Sequence, residues 1–440
     1  MATTVKNAAS FRHARPSLAS ITVRGFKSIG SECKLELGSL NILAGANSAG
    51  KSSFLQPLLL LKQTVEAAYD PGPLLLDGPN VKFSELGQIF SKNLGINKQI
   101  SVGFYADDGR ALKLSFEVGA DEQLQIKENT HTDQNGASYA LSEKLSSDDI
   151  HRIVQVSGVP VSMFDLDKLA VFRDRAILRL QYTQQGVPFI FPFRITDGFG
   201  EDVARDLIHV PGLRGNPERS YKKTAVGVSF PGTLDTYVAS IVAYWQEHDH
   251  DKLDTLSRQL RQLGLTSKVT SKKVDDTRIE LQVGRLPSAV PDDVNDFVSI
   301  ADVGFGVSQV LPVLVALLVA KPGQMVYIEQ PETHLHPKAQ RALAEIFADA
   351  VQRDSVVIVE THSLLFVRAV QTLVARGHVQ KEAVKLHWVA RDAAGQTQVT
   401  TCELDKAGAY GDWPQDFEET EMAGELGYIE AAEKVLFSNE

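Results

Sequence analysis

The chain has 440 residues, of which 43% are hydrophobic and 23% are charged, the composition of an ordinary folded globular protein. Its formal net charge of −10 argues against broad non-specific attraction to nucleic acid, because that attraction depends on neutralising phosphates with Lys and Arg. The two cysteines, Cys33 and Cys402, exclude a disulfide scaffold and a Cys-rich zinc site. The first 20 residues lack an apolar stretch, and no apolar run approaches the roughly 20 residues of a membrane span, so we expect a cytoplasmic protein.

The length predicts a core that carries one sizeable insertion, because 440 residues exceed a single minimal domain. The insertion alternates β-like segments with polar helical stretches, which indicates an inserted α+β region with a helical arm or lid. In chain order we expect a disordered tail over 1–20, the first part of the core over 21–97, the insertion over 98–298, the second part of the core over 299–400 and a C-terminal extension over 401–440.

Two strand-like runs, 21–26 and 34–43, come before a glycine-containing loop and predict a hairpin. The run 53–68 is apolar at helical spacing and has Pro57 near its first turns, so a helix follows the loop. Within the insertion the patterns predict two helices and a β-ribbon, over 233–248, 251–263 and 272–284.

Beyond Ala301, helices alternate with short apolar strands, an order that indicates a parallel sheet. The predicted elements are an apolar helix from Val310, a strand over 324–328, a helix over 337–352, a strand over 355–359 and a further helix. The whole pattern predicts an α/β protein with a mixed sheet, a parallel core and an inserted α+β region.

Two groups of basic residues in the insertion are candidates for a local nucleic-acid groove. The solvated faces of a helix and a hairpin are the simpler explanation for both groups. Their members are Arg214, Arg219, Lys222 and Lys223 in one, and Arg258, Arg261, Lys268, Lys272 and Lys273 in the other.

The segment GANSAGKS at 45–52 fits the phosphate-loop pattern G-x-x-x-x-G-K-[ST] in full. Its glycines let backbone N–H groups wrap phosphates at a helix N-terminus, Lys51 reaches the β and γ phosphates, and the Ser52 hydroxyl can bind Mg²⁺. ATP with Mg²⁺ is therefore the predicted cofactor. The residues expected to bind it are Gly45, Asn47, Ser48, Ala49, Gly50, Lys51, Ser52 and Ser53.

A second motif, which is acidic, is expected to take part in the same binding of MgATP. The apolar run 325–328 ends in Glu329, which is where a phosphate-loop enzyme places a carboxylate that binds Mg²⁺ or orients water. We therefore predict Ser52 and Glu329 as the metal ligands.

The segment EQPETHLHP at 329–337 resembles the Walker B and D-loop segment of ABC-type ATPases, and most closely that of the RecF, SMC and OLD branch. By this resemblance Glu329 is the Mg²⁺ acid, and Gln330 stands where a glutamate normally polarises the attacking water. An amide cannot accept a proton at neutral pH, so hydrolysis should be slow unless Glu332 or another group substitutes. The pair His334 and His336 could be an H-x-H metal site, but no further ligand has convincing spacing, and a structural loop at a dimer interface is the alternative.

Two further segments resemble parts of the same ATPases. ETHS at 360–363 resembles the switch-histidine segment, which implies that His362 contacts the γ phosphate. DVGFGVSQ at 302–309 precedes an apolar helix and resembles a degenerate signature segment, which implies contact with the γ phosphate of a second subunit. The alternative for this segment is a structural helix cap. The predicted contacts are Gly304, Gly306, Ser308 and Gln309, with Ser308 supplying the hydroxyl that Gly306 lacks.

Further residues resemble those of a bacterial family of stand-alone ABC-like, AAA-family ATPases with a C-terminal domain of unknown function. They are HVPGLR at 209–214, Arg219, Tyr221 and GDWPQDF at 411–417. Relatives include ATPase subunits of two-gene phage-defence systems such as Septu, where the ATPase pairs with a nuclease. The resemblance leaves open whether Arg214 or Arg219 binds nucleotide, nucleic acid or a carboxylate of the fold.

The resemblance implies a P-loop NTPase fold of ABC/SMC-head type and a slow ATPase. Its heads would dimerise, or assemble further, around ATP and control a separate effector, a nuclease in anti-phage defence. We expect no built-in nuclease domain, because the 78 residues after His362 are too few for one beside the rest of the core. The alternative is a RecF/SMC-like DNA-repair ATPase that clamps DNA directly, and an ABC-transporter motor fits less well.

Overall fold

The computed structural model describes residues 18–92, 98–157, 165–184, 187–189, 198–227, 229–285 and 296–411. The predicted tail up to residue 17 and the motif residues 412–417 lie outside these ranges. The first strand begins at Leu18, so residues 18–20 are not part of a tail, because Leu18 and Ser20 are buried in a sheet. No helix in the described ranges is long and apolar enough to cross a membrane.

The helices and strands follow the chain in the order below. The helices are α1 (Lys51–Glu66), α2 (Ser147–Val156), α3 (Phe199–Asp206), α4 (Val238–His248), α5 (His250–Gln262), α6 (Phe305–Val319), α7 (Pro337–Val351) and α8 (Leu364–Ala375). The strands are β1 (Leu18–Arg24), β2 (Cys33–Glu36), β3 (Leu40–Ala44), β4 (Gln99–Ala106), β5 (Ala111–Val118), β6 (Leu124–Thr132), β7 (Ser138–Leu141), β8 (Leu169–Asp174), β9 (Ile177–Gln184), β10 (Val187–Phe189), β11 (Ile208–Val210), β12 (Tyr221–Lys222), β13 (Val269–Lys273), β14 (Arg278–Gly284), β15 (Phe297–Ser299), β16 (Met325–Glu329), β17 (Val356–Glu360), β18 (Val384–Arg391) and β19 (Thr397–Glu403).

The central sheet has the strand order β11-β16-β17-β3-β18-β19. The first five strands are parallel and β19 is antiparallel, which confirms the predicted mixed sheet with a parallel core. Every residue of β3 is buried, as expected of a strand covered on both faces. The carboxyl ends of β3, β16 and β17 lie at one edge, with Glu329 beside Glu360 and Glu360 beside Leu43. This P-loop NTPase arrangement of an α/β sheet gathers the predicted motifs at that edge.

The helix α1 lies between two sheets. Its residues Phe54 and Leu58 belong to one buried cluster with Ile358 of the central sheet and Phe104 of a second, antiparallel sheet ordered β2-β1-β4-β5-β6-β7. Pro57 lies within this helix and is buried, so the helix continues through it. Packing on both sides fixes the loop from which α1 starts.

The predicted strand over 34–43 is two strands in two sheets. β2 pairs with β1, as the predicted hairpin requires, whereas β3 joins the central sheet. The chain turns at Gly38, whose N–H donates to Asn41 Oδ1 and whose carbonyl accepts from Asn41 Nδ2. A Cβ atom at Gly38 would lie 2.9 Å from the Ala383 carbonyl oxygen, so the turn needs glycine. Hydrophobic alternation resumes directly after this turn but changes phase, with Leu35 and Leu37 before it and Leu40 and Ile42 after it, so one strand-like run was in fact two.

The segment predicted as an insertion contributes to both sheets. β4 to β7 extend the antiparallel sheet, and β11 is an edge strand of the central sheet. The predicted helices are confirmed as α4 and α5, and the β-ribbon as β13 and β14. β11 has only three residues, too few for a periodic signal, so the sequence did not place it in the core.

Candidate active site

The phosphate loop connects β3 to α1, as predicted. Gly45 has a φ of 149°, and a Cβ atom there would lie 2.1 Å from the Val389 carbonyl oxygen. Gly50 has a φ of 104° and is the N-cap of α1, where no side chain caps the first turn. Asn47 and Ser48 are exposed on the loop. The uncapped N–H groups at the start of α1 therefore form an anion-binding helix end.

A hydroxyl pair holds the back of this loop. Thr397, at the start of β19, donates its hydroxyl hydrogen to the Ala49 carbonyl over 2.8 Å. The Ser28 hydroxyl lies 2.7 Å from Thr397 Oγ1, and it is the donor because the Thr397 hydrogen is already used. Residues far apart in sequence thus fix the conformation of the phosphate loop.

The Lys51 ammonium is buried beneath the loop. Its Nζ donates to the carbonyls of Gly45 and Ala46 over 2.9 Å and 2.8 Å. Burial lowers the pKa of Lys51, while the carboxylates of Glu360 and Glu332 act in the opposite direction. Lys51 is therefore close to two acidic side chains and next to the phosphate-binding N–H groups.

Glu360, which the sequence analysis did not assign, is the carboxylate that contacts Ser52. Ser52 Oγ donates to Glu360 Oε1 over 2.9 Å, and the Tyr327 hydroxyl donates to Oε2 over 2.9 Å. Burial raises the pKa of Glu360, and the nearby charge of Glu329 raises it further. An apolar strand ending in an acid is the signal that singled out Glu329, and β17 has the same signal.

The Glu329 carboxylate is turned toward β11 instead. Oε1 lies 3.0 Å from His209 Nε2, and Oε2 accepts from the Gly212 N–H over 3.2 Å. His209 Nδ1 accepts from Asn80 Nδ2, since the same amide also donates to the Gly232 carbonyl. His209 Nε2 therefore carries a hydrogen and donates to Glu329. The structure does not join Ser52 to Glu329 directly: the Ser52 hydroxyl donates to Glu360, and Glu329 accepts from His209 and Gly212.

Gln330 and Glu332 lie in the turn after β16. Gln330 has a φ of 44°, and its N–H donates to the Glu360 carbonyl over 2.7 Å. Glu332 is 9% exposed, and its Oε1 accepts from the His362 N–H over 2.8 Å. Its Oε2 is buried and has no hydrogen-bond partner in the described part of the chain. Glu332 thus has an unpaired carboxylate oxygen close to Lys51.

The His362 side chain is close enough to Lys51 and Glu332 for their charges to act on it. Partial burial lowers its pKa, the Lys51 charge lowers it further, and Glu332 opposes both effects. A lowered pKa means that the imidazole is neutral at pH 7. A neutral ring can donate one hydrogen bond to a phosphate oxygen, which suits the predicted switch role.

The signature-like segment forms the start of α6. Gly304 is its exposed N-cap, and Gly306 packs against Leu265 and the His334 carbonyl. The Ser308 hydroxyl donates to the Phe305 carbonyl one turn earlier.

Gln309, the last residue of that segment, is buried. Its Nε2 lies 3.3 Å from the carbonyl oxygens of both Arg214 and Gly215. The Gln309 amide therefore holds the loop after β11 in its own chain, and is not presented to a second subunit.

The two histidines of the H-x-H pair have separate structural contacts. His334 has a φ of 64°, and its ring centroid is 5.8 Å from that of Phe305. His336 is the N-cap of α7 and accepts from the Lys338 N–H. Among the described residues no group of three His, Cys, Asp or Glu side chains could hold a metal ion.

The sequence analysis left the binding partners of Arg214 and Arg219 open, and both side chains bind groups within this chain. Arg214 donates to the backbone carbonyls of Gln309, Glu329 and Gln330, and burial lowers its pKa to about 10. Arg219 pairs with both oxygens of Asp302 over 2.7 Å and 3.1 Å on the surface.

The chain is similar in part to known proteins. Residues 194–368 match a family model described as "AAA domain, putative AbiEii toxin, Type IV TA system". No curated protein matches the chain. Solved structures that resemble it include an SMC head bound to the C-terminal winged-helix domain of ScpA, at 14% identity, a TM-score of 0.47, and coverage of 89% of this chain and 99% of that one.

Two further SMC heads are similar at 12% identity. The head from Thermotoga maritima has a TM-score of 0.41, with 88% of this chain and 100% of that chain covered. The head with an extended coiled coil, bound to the C-terminal domain of ScpA and derived from Pyrococcus furiosus, has a TM-score of 0.43, with 89% and 98% covered. By its own topology the chain has a P-loop NTPase fold, and its residues 194–368 are similar to an AAA-domain family.

Proposed function

We propose that this chain is an ABC-type ATPase that binds MgATP at the edge formed by β3, β16 and β17 and hydrolyses it slowly. The observation that carries the proposal is the position of Lys51, which lies at the start of α1 and is flanked by Glu332 and Glu360. An ammonium beside an uncapped helix end binds phosphate, and the carboxylates around it supply the metal and water contacts.

The oxygen donors at this edge fit Mg²⁺, which prefers hydroxyl, carboxylate and phosphate oxygens. Ser52 and Glu360 are already in contact, and Glu329 is close enough to raise the pKa of Glu360. We therefore extend the predicted ligand set of Ser52 and Glu329 to include Glu360. The metal, when bound, supplies charge neutralisation on the phosphates.

Slow hydrolysis follows from the residues that face the attacking water. Gln330 can hydrogen-bond a water but cannot take its proton. Glu332 can take one, and its buried Oε2 has no partner within the described residues. We assign Glu332 as the weaker substitute base and His362 as the contact to the γ phosphate.

A head-to-head dimer around ATP is the second part of the proposal. Three carboxylates, Glu329, Glu332 and Glu360, surround Lys51 and the carbonyl-bound Arg214. MgATP brings further negative charge, so the site favours an added positive group. The N–H groups at the exposed start of α6, at Gly304, carry partial positive charge. A second copy of the chain can bring this helix end to the site.

We further propose that the ATP-bound dimer regulates a separate effector, a nuclease, in bacterial anti-phage defence. The support is the resemblance to ATPase subunits of two-gene defence systems and the similarity to a family described as a toxin-antitoxin AAA domain. A pull-down of the native protein with and without ATP, with the neighbouring gene products identified, tests this part. Retention of a nuclease only with ATP supports it, and no ATP-dependent partner counts against it.

The alternative function is direct clamping of DNA. The observation in its favour is that β12 and β13 flank β14 in one sheet, so that Lys222 and Lys272, one from each basic group, are exposed on the same sheet on either side of β14. DNA-stimulated hydrolysis that falls steeply with salt would support clamping. A hydrolysis rate that does not change when DNA is added would favour the model with a separate effector.

A further inference from the structure

The loop that follows β11, residues 211–215, is fixed in place just before Leu213. The Gly212 N–H donates to Glu329 Oε2 over 3.2 Å. A Cβ atom at Gly212 would also lie 3.2 Å from that oxygen, so the backbone is packed directly against the carboxylate. The backbone just before Leu213 is therefore held against Glu329, an acidic residue of the proposed ATP site.

The same loop is also fixed just after Leu213. The Arg214 side chain is 8% exposed and donates to the carbonyls of Glu329 and Gln330 at the end of β16, and of Gln309 in α6. Gln309 in turn donates back to the carbonyl of Arg214. The loop therefore joins the end of β16 to the start of α6.

Leu213 itself is 96% exposed, more than any other large apolar side chain in the described ranges. A single exposed leucine on a mobile loop needs no explanation, since such a loop can turn the side chain inward. Here the contacts on both sides keep the side chain in solvent. A leucine that is kept in solvent is unfavourable in an isolated chain, whereas an interface with another chain would bury it.

A second exposed apolar residue lies at the start of α6, the helix that the Leu213 loop contacts. Phe305, the first residue of α6, is 50% exposed and packs against the His334 ring. Arg214 binds the carbonyl of Gln309, one turn further along α6, so the Leu213 loop and the Phe305 end belong to one connected unit. The exposed Arg219–Asp302 ion pair joins the segment after the Leu213 loop to the residues just before α6.

We propose that Leu213 and Phe305 form an apolar contact with a second copy of this chain. Arg214 connects this contact to the ATP site through its hydrogen bonds to the end of β16. The inference rests on the proposed dimer and identifies the surface that makes it. Charge complementarity favours a second copy as the occupant. The positive start of α6 adjoins Phe305, and the carboxylate-rich ATP site adjoins Leu213, so two copies related by a twofold axis match positive to negative at both ends.

The test measures the mass of the full-length protein by sedimentation, with and without saturating MgATP. Leu213→Asp places a charge in the apolar contact and should raise the dimer dissociation constant at least tenfold. Val274→Asp is the matched control, because Val274 is 53% exposed on the turn between β13 and β14. Binding of a fluorescent ATP analogue, at a protein concentration below the dimer dissociation constant, and the thermal midpoint without nucleotide are measured for each variant, and neither should change.

The possible results separate this inference from the proposed function. ATP-dependent dimers of wild type and Val274→Asp, with a monomeric Leu213→Asp that still binds ATP, support it. Equal dimerisation of wild type and Leu213→Asp overturns the inference and leaves the proposed dimer intact. A wild type that stays monomeric in MgATP overturns the proposed dimer and this contact with it. Phe305→Asp provides a second variant should Leu213→Asp fail to fold, and it should also weaken the dimer.

Discussion

The substitution Gln330→Glu tests most sharply why this site should hydrolyse ATP slowly. Glutamate has the shape of glutamine, so the turn at φ 44° and the N–H bond to the Glu360 carbonyl stay intact. The change converts a group that can only orient water into one that can accept its proton. We expect faster hydrolysis with little change in ATP affinity.

The expected magnitude follows from two opposing effects. A positioned general base contributes about 10²- to 10⁴-fold, or roughly 3–5 kcal/mol of barrier. Glu332 already serves as the weaker base in wild type, and the like charges of Glu329, Glu332 and Glu360 raise the pKa of the new carboxylate, so only part of this factor is gained. The net gain should be about 10- to 100-fold.

Phosphate release at saturating MgATP and single-turnover cleavage measure this gain, since the second assay excludes product release as the limiting step. Gln330→Ala is the control and should not accelerate either rate. A Gln330→Glu rate within twofold of wild type would refute the reasoning and identify Glu332 as a fully competent base. Glu332→Gln should then abolish turnover.

Three further changes test the surrounding contacts. His209→Ala should lower the free energy of unfolding by about 2–4 kcal/mol in urea titrations, because it removes a buried ring and the donor to Glu329; a loss below 0.5 kcal/mol contradicts the contact. Thr397→Val removes the donor to the Ala49 carbonyl and should weaken ATP binding about fivefold in calorimetry, whereas unchanged affinity would show that the loop holds its shape alone. The raised pKa of Glu360 means that the folded state binds its proton more tightly than the unfolded state. Stability of the nucleotide-free protein should therefore fall as pH rises from about 4.5 through the folded pKa, and Glu360→Gln should raise the melting temperature at pH 8, lessen this slope and impair hydrolysis. An unchanged slope would contradict the burial of that charge.

Local patterns were sufficient for the parts of the site that one segment makes. The phosphate loop, the strand ending at Glu329 and the helices after it all follow from short-range spacing, and the structure places them as predicted. What the sequence could not provide was the contact between segments. Ser52 meets Glu360 because β17, not β16, lies next to β3 in the sheet.

The same limit explains the other omissions. His209 belongs to a strand of three residues, too short for a periodic pattern, yet it holds the Glu329 carboxylate from 120 positions away in the chain. Arg214 could be identified as a candidate but not assigned, since its partners are backbone carbonyls that no side-chain pattern reveals. Contacts of this kind depend on topology and not on local composition.

The most direct test of the central claim compares the masses of wild type and Lys51→Ala by sedimentation in saturating Mg·ATP. The proposal predicts that wild type is monomeric without nucleotide and dimeric or larger with it. Lys51→Ala should remain monomeric in both conditions, because the buried ammonium beside the phosphate loop is lost. The same oligomeric state for both proteins in Mg·ATP would contradict an ATP site that reports its occupancy through assembly.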